Sequence, residues 1–383
     1  LFISSIKIII LKLDNANLLA DASPSFFKEG FFILKIETDQ GLTGFGEPST
    51  YGDKLENCIN FVKNYLIDRI INKNISQVWR DLDAFRTDES LVSKGGQTSV
   101  IAALSHAILD IFGKERDTPI WRMFNSNNQK KQCFKQKVYA SGGMYFDDQP
   151  IERLLDEVHE IKSKGYLAWK FRPPIPRNMS HNDRILKPPK ININILSKII
   201  PKIRDAVGEK FDLMIDFGCR LQDRDEIEHF LHLCDDYKFY FVEEPVVRNL
   251  ESYKKLHKMN RCRIACGEHL FSHHEISEWV KNENFNIFQP DVNLIGFQNV
   301  KIVKKSKKYN KSIILHNWAN GISNYANFHF ASLIEDVDYV EKSTIPNPLR
   351  EDLLNEELNF DQGIITLPNK AGLGITLNKE ILD

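Results

Sequence analysis

Three carboxylates stand at the ends of short apolar runs: Leu213-Met-Ile-Asp216, Phe239-Tyr-Phe-Val-Glu243 and Ile264-Ala-Cys-Gly-Glu268. An acid that closes a buried strand is costly unless a cation meets it. These three follow one another at intervals of 27 and 25 residues, a spacing that predicts convergence. Converging carboxylates repel unless a dication sits among them, and all-oxygen ligands favour Mg²⁺ over zinc. The series continues through Asp291, His316 and Glu341 at intervals of 23, 25 and 25 residues. A carboxylate beside an imidazole fixes its tautomer and raises its basicity, so Asp291 and His316 are a candidate acid/base pair. Lys170 and Arg172, two apart, point to one face of a strand and suit an anionic substrate. His269, Asn317 and Asn320 are further polar candidates for the same bowl. Glu244 faces away from Glu243 by strand alternation and is a supporting residue at most.

Such a constellation needs a scaffold that brings many strand ends together. From about Lys135 the chain repeats strand, loop, helix. The strands read as Val138–Ser141, Ala168–Arg172, Asp212–Asp216, Phe239–Glu244, Arg263–Glu268, Asn286–Asp291, Ser312–His316 and Asp338–Glu341. Amphipathic segments lie between them, as in Ile151–Lys164. The expected fold is α/β, a (β/α)7–8 TIM-like barrel spanning residues 132–354. The proline-rich stretch from Arg172 to Lys190 is expected on the substrate side. Pro201 is expected to start or kink its helix.

Residues 1–131, with about 355–383, are expected to form an α+β capping domain. Residues 5–13 and 31–38 alternate as strands. The pattern from Lys54 to Arg86 is helical, and Val100–Gly113 reads as an apolar helix. Its alanines Ala102, Ala103 and Ala107 imply tight packing. Gly44 and Gly46 permit close backbone approach and read as a sheet corner rather than a phosphate loop. The loops at about 15–30 and 47–53 are candidate lids.

Net charge is −1, so neither nucleic acid nor an acidic membrane is expected as a partner. None of the six cysteines forms a Cys-x-x-Cys pair, which predicts reduced thiols and a cytoplasmic protein. The apolar start, Leu1–Ile10, reads as a strand rather than a leader. With no run of 18 apolar residues, no membrane span is expected.

Gly41-Leu-Thr-Gly-Phe-Gly-Glu47, Ala107–Lys114, Phe241-Val-Glu-Glu-Pro245, Gly267-Glu268, Gln289-Pro-Asp291, Leu315-His316 and Gly372-Leu-Gly-Ile375 together resemble the enolase superfamily, in its mandelate racemase-like subgroup. The resemblance covers nearly the whole chain. It implies one Mg²⁺ per subunit on Asp216, Glu243 and Glu268, and an acid/base dyad of His316 with Asp291. It implies that Glu341 hydrogen-bonds the substrate carboxylate or its enolate, and that the protein is a homo-oligomer. The shared step is removal of the proton α to a carboxylate.

The subgroup often carries a second lysine as base where this chain has Arg172, and arginine is a poor base. The chain therefore reads as a Mg²⁺-dependent dehydratase of an acid sugar. His316 removes the α-proton to give an enediolate, and the β-hydroxyl leaves. Catalytic candidates are His316, Asp291, Lys170, Arg172 and Glu341; substrate-binding candidates are Lys170, Arg172, His269, Asn317 and Glu341. The alternatives are a racemase or epimerase of a 2-hydroxy acid, with Lys170 as second base, and a non-catalytic ligand-binding barrel. A phosphate-binding barrel is disfavoured, because no glycine-rich loop follows the seventh strand.

Overall fold

The computed structural model describes residues 1–11, 30–50, 53–86, 95–124, 131–145, 151–174, 191–259 and 261–382. Most of the loop expected at about 15–30, residues 51 and 52 of the second loop, and residues 175–190 of the proline-rich stretch lie outside these.

The chain opens on an antiparallel sheet of β1 (Ile3–Leu11), β2 (Phe31–Thr38) and β3 (Thr43–Gly46). The helical stretch that follows is interrupted, contrary to the single pattern expected from Lys54 to Arg86. It holds α1 (Leu55–Phe61), then a π-helical turn at Val62–Leu66 and one further turn at Ile67–Ile70. Asn72 then takes a left-handed φ of 59°, and its N–H bonds Ile3 O at 2.8 Å. Asn74 Oδ1 accepts from Ser76 N at 3.0 Å and starts α2 (Ile75–Arg86). The break thus trades helix for bonds to β1.

Helix α3 (Gly96–Glu115) is buried from Thr98 to Gly113. β3 crosses it where Gly44 and Gly46 stand. A Cβ on either glycine would run into the carbonyls of Ala107 and Ala103, so the glycines and alanines are one close-packing device. The carboxylate of Asp110 accepts from Phe45 N at 3.2 Å, Lys114 Nζ at 2.7 Å and, 263 residues on, Leu373 N at 2.8 Å.

The barrel runs β4 (Phe134–Ser141), α4 (Arg153–Ser163), β5 (Ala168–Phe171), α5 (Ile193–Val207), β6 (Asp212–Asp216), α6 (Arg224–Asp236), β7 (Phe241–Glu243), α7 (Leu250–His257), β8 (Ile264–Cys266), α8 (His273–Val280), β9 (Ile287–Phe288), α9 (Val292–Ile295), α10 (Val300–Ser306), β10 (Ser312–Leu315), α11 (Gly321–Ser332) and β11 (Val337–Ser343). Each strand pairs in parallel with the next, and β11 returns to β4. All eight expected strands are present and the cylinder is closed. The helix after β11 is a single turn, Pro348–Glu351, among the described residues. Helix α5 begins on an Asn192 cap, so Pro201 lies mid-helix rather than at its start. β12 (Asn359–Asp361) and β13 (Ile364–Leu367) form a hairpin that pairs antiparallel with the first half of β4. Gly372 and Leu373 then reach α3, so the tail bonds to both units.

Tyr139, Ala168, Met214, Phe241, Ala265, Ile287 and Ile314 fill the barrel interior. Strand side chains alternate faces, so the residue two further along each strand also points inward, one layer higher. Those residues include Lys170, Asp216, Glu243, Gln289 and His316. No helix among the described residues is long and apolar enough to cross a membrane.

Candidate active site

Asp216 and Glu243 are direct partners in the β6–β7 register, so their carboxylates stand side by side. Glu268 reaches them differently. Period-two alternation along β8 would turn Gly267, not Glu268, inward. Gly267 takes a φ of +116°, and a Cβ there would lie 2.7 Å from the Phe288 ring. That glycine swings Glu268 into the bowl.

Each of the three carboxylates has cationic company. Arg172 Nε donates to Asp216 Oδ2 at 2.6 Å, and Gly218 N to Oδ1 at 2.8 Å. Lys170 Nζ lies 2.7 Å from Glu243 Oε2 and 2.9 Å from Glu341 Oε1, while Gln289 Nε2 donates to Glu243 at 2.9 Å. His269 Nε2 lies 3.0 Å and Arg248 Nη2 3.2 Å from Glu268 Oε1. Buried Oε1 of Glu243 accepts no hydrogen bond, and neither does Oε2 of Glu268, although His316 Nε2 is 3.3 Å from the latter.

His316 Nδ1 is 2.8 Å from Asp291 Oδ2, which leaves Nε2 toward the bowl. The other oxygen of Asp291 accepts from Asn293 N at 2.8 Å, capping α9. Burial alone would lower the His316 imidazole. The Glu268, Glu341 and Asp291 carboxylates outweigh it and hold the ring up at about 10. Burial raises Glu243 to about 8, against Lys170, with Asp216, Glu268 and Glu341 adding to the rise. Burial likewise pushes Glu341 up, but Lys170 and His316 prevail and bring it to about 2. Lys170, pulled down by burial, is held well above the ordinary lysine value by Glu243 and Glu341.

This donor set fits a hard divalent cation. Three anionic side chains on neighbouring strand ends offer oxygens, and two of those oxygens are buried without donors. Among the described residues, the group whose ligand atoms all come within 4.8 Å of one another is a different one, Glu244, Glu268 and His269. There, however, Arg248 Nε already binds both oxygens of Glu244, at 2.7 and 2.6 Å. The first set differs in offering Glu243 Oε1, a buried oxygen that no donor occupies. Glu244, as alternation requires, stays outside it.

The candidates do not all face the same space. Lys170 is enclosed between Glu243, Glu341 and the Tyr139 ring, 5.4 Å away. The side chain of Asn317 is engaged in a buried amide network with Asn324, Asn327 and the Glu341 carbonyl. Its N–H donates to Glu341 Oε2 at 3.1 Å. His269 is 37% exposed beside Glu268. Arg172 lies 6.0 Å from the Trp318 ring. Arg248 and Gln289 are partners that the residue reading did not single out. Gln289 was accessible to it, two positions before Asp291 on one strand face. Arg248 follows β7 in a loop, where no periodicity marks it.

Two family models match the chain: "Enolase C-terminal domain-like" over residues 153–381 and "Mandelate racemase / muconate lactonizing enzyme, N-terminal domain" over residues 15–124. An arabinonate dehydratase from Saccharolobus solfataricus is 24% identical over 354 residues, 91% of this chain and 88% of the relative. A D-gluconate dehydratase from Thermoproteus tenax is 23% identical, over 78% of this chain and 58% of the relative. Among solved structures, the 3,6-anhydro-D-galactonate cycloisomerase from Zobellia galactanivorans superposes with a TM-score of 0.82 at 22% identity, covering 100% of this chain and 98% of the other. A racemase from Streptomyces coelicolor with bound magnesium gives 0.81 at 19%, covering 100% and 99%. At these identities the superpositions speak to the fold.

Proposed function

The chain belongs to the mandelate racemase/muconate lactonizing enzyme family of the enolase superfamily, and from that membership we propose that it dehydrates an acid sugar. Asp216, Glu243 and Glu268 would hold Mg²⁺, which supplies Lewis acidity to the substrate's carboxylate oxygens. His316 is protonated in the metal-free site chiefly through Glu268, and would shed that proton once a cation engages Glu268, so that Nε2 can take the α-proton. Asp291 fixes the tautomer that leaves Nε2 free to accept it. Glu341, beside Lys170 and the Asn317 N–H, faces the carboxylate end of the substrate. The proton on Nε2 then passes to the departing β-hydroxyl, the Cβ–O bond breaks and water leaves. The resulting enol tautomerises to a 2-keto-3-deoxy acid, so atoms balance without a redox partner. Positioned acid/base groups contribute about 10²–10⁴-fold.

One observation carries the choice of dehydration: the bowl has a base on one side and Arg172 where a second base would stand. A racemase or epimerase needs a proton acceptor on each face. Lys170, the residue available for that role, is locked as an ammonium between Glu243 and Glu341. The two dehydratase relatives support the same class. The test is a screen of mono- and diacid sugars for keto-acid product, followed by His316→Asn. The substitution should remove turnover and leave Mg²⁺ binding intact. An active His316→Asn protein refutes the assigned base. Solvent deuterium at Cα of recovered substrate would favour epimerisation instead.

A further inference from the structure

Arg86 ends α2 in the capping unit and is buried. Its guanidinium does not reach the bowl's carboxylates; it binds three backbone carbonyls of the barrel. Nη1 donates to Ile295 O. Nη2 donates to Phe271 O and, at 2.8 Å, to Leu294 O. Phe271 lies three residues after Glu268, in the turn after β8. Leu294 and Ile295 end α9, the single turn that Asp291 caps. One side chain therefore ties together the two loops that carry Glu268 and Asp291.

The surrounding contacts explain why such a tie is needed. A one-turn helix has almost no intrahelical partners for its carbonyls. For α9 the barrel supplies Gly296 N to Val292 O at 2.8 Å and Asn299 Nδ2 to Ile295 O at 2.7 Å, and the capping unit supplies the rest. Ser99 Oγ donates to Asn293 O at 2.6 Å, and the His106 ring lies 3.4 Å from Val292 O. Arg86 takes the last two, at the end of the turn where a cation is favoured. Ser105 Oγ accepts from Phe297 N at 3.1 Å just beyond. On the barrel side, Leu270 N bonds Gly267 O at 3.1 Å and Phe271 N bonds Glu275 at 3.1 Å. Hydrogen bonds thus brace the turn from Glu268 to Phe271 at both ends.

Both loops converge on one imidazole, with Asp291 at 2.8 Å from Nδ1 and Glu268 at 3.3 Å from Nε2. We propose that Arg86 is a positioning residue that sets Glu268 and the Asp291–His316 pair in fixed relation, so that the capping unit governs cation affinity and base orientation through the backbone. The inference rests on the function proposed above for these three residues.

The test uses the full chain with Arg86→Met, which keeps side-chain length without donors, and Arg86→Lys, whose single ammonium cannot span both loops. Amide hydrogen exchange without metal is expected to rise in barrel residues 268–271 and 292–297 and not in the rest of the barrel or in the capping unit. Mg²⁺ affinity by calorimetry should fall about 10–100-fold in Arg86→Met and by less in Arg86→Lys, as for other partners that orient metal ligands. With acid sugar, kcat should fall by a similar factor while KM changes less than about threefold. Wild-type exchange in both segments with wild-type Mg²⁺ affinity overturns the proposal, as does a uniform rise in exchange. Should Arg86→Met fail to fold, the same criteria apply to Arg86→Lys. If the unsubstituted protein binds no Mg²⁺, the proposed function fails instead, and the exchange arm still decides the role of Arg86.

Discussion

Loading the site with Mg²⁺ should expel protons. Glu243 is held at about 8 by burial and its acidic neighbours, so at pH 7 about nine-tenths of the metal-free molecules carry a proton there. A carboxylate must be ionised to coordinate. Cation binding at pH 7 therefore releases most of a proton from Glu243. His316, at about 10, is also protonated at pH 7. Its elevation is due first to Glu268, which a cation would engage. Any proton it yields raises the total toward 2. The sign follows: affinity rises with pH, about 50-fold between pH 6 and pH 8 for Glu243 alone, and flattens above pH 8. Titration calorimetry at pH 7 in buffers of differing ionisation enthalpy reads the proton count directly. Zero proton release, with affinity independent of pH from 6 to 8, would refute a protonated Glu243 in the metal-free site; unchanged Mg²⁺ affinity in Glu243→Gln would refute its assignment as a ligand.

Two further substitutions probe the same arrangement. Gly267→Ala places a Cβ against Phe288 in a left-handed backbone. It should cost on the order of 2 kcal/mol or more in urea unfolding and weaken Mg²⁺ binding by displacing Glu268; an unchanged midpoint and affinity would contradict that role. Lys170→Met leaves Glu243 and Glu341 buried without their shared cation. It should destabilise the metal-free protein by about 3–5 kcal/mol at pH 9, where Glu243 is ionised, and by less at pH 5, where Glu243 is already neutral. Equal losses at the two pH values would argue against the pairing.

The barrel was legible because its strands repeat one grammar. An apolar run ends on a polar residue, and period-two alternation carries the inward face of Ala168, Met214, Phe241, Ile287 and Ile314 upward to Lys170, Asp216, Glu243, Gln289 and His316. Capping helix α3 was legible from its small residues and α2 from its apolar period. Three things were not. Glu268 breaks the alternation of its own strand, and the cause is the conformation of Gly267 rather than any pattern. The helix break at Ile71–Asn74 depends on bonds to β1, some 70 residues earlier, that no local window contains. Arg86 looks like a helix-ending arginine, and its partners are carbonyls, which every residue type carries alike. Side chains that act on backbone leave no trace in the types of the residues they touch.

Asp110 joins α3 to Leu373 across 263 residues. The Trp121 indole N–H donates to Pro368 O at 3.0 Å, and His329 Nε2 lies 3.0 Å from Leu373 O in the same region. During synthesis at about 5–20 residues per second, α3 would wait roughly 13–50 s for the segment that satisfies its buried carboxylate. The capping unit leaves the ribosome before the barrel and is completed after it. A nascent chain stalled inside the barrel would keep Asp110 and the apolar flank of α3 uncovered, a surface for chaperones to hold until residues 368–373 arrive.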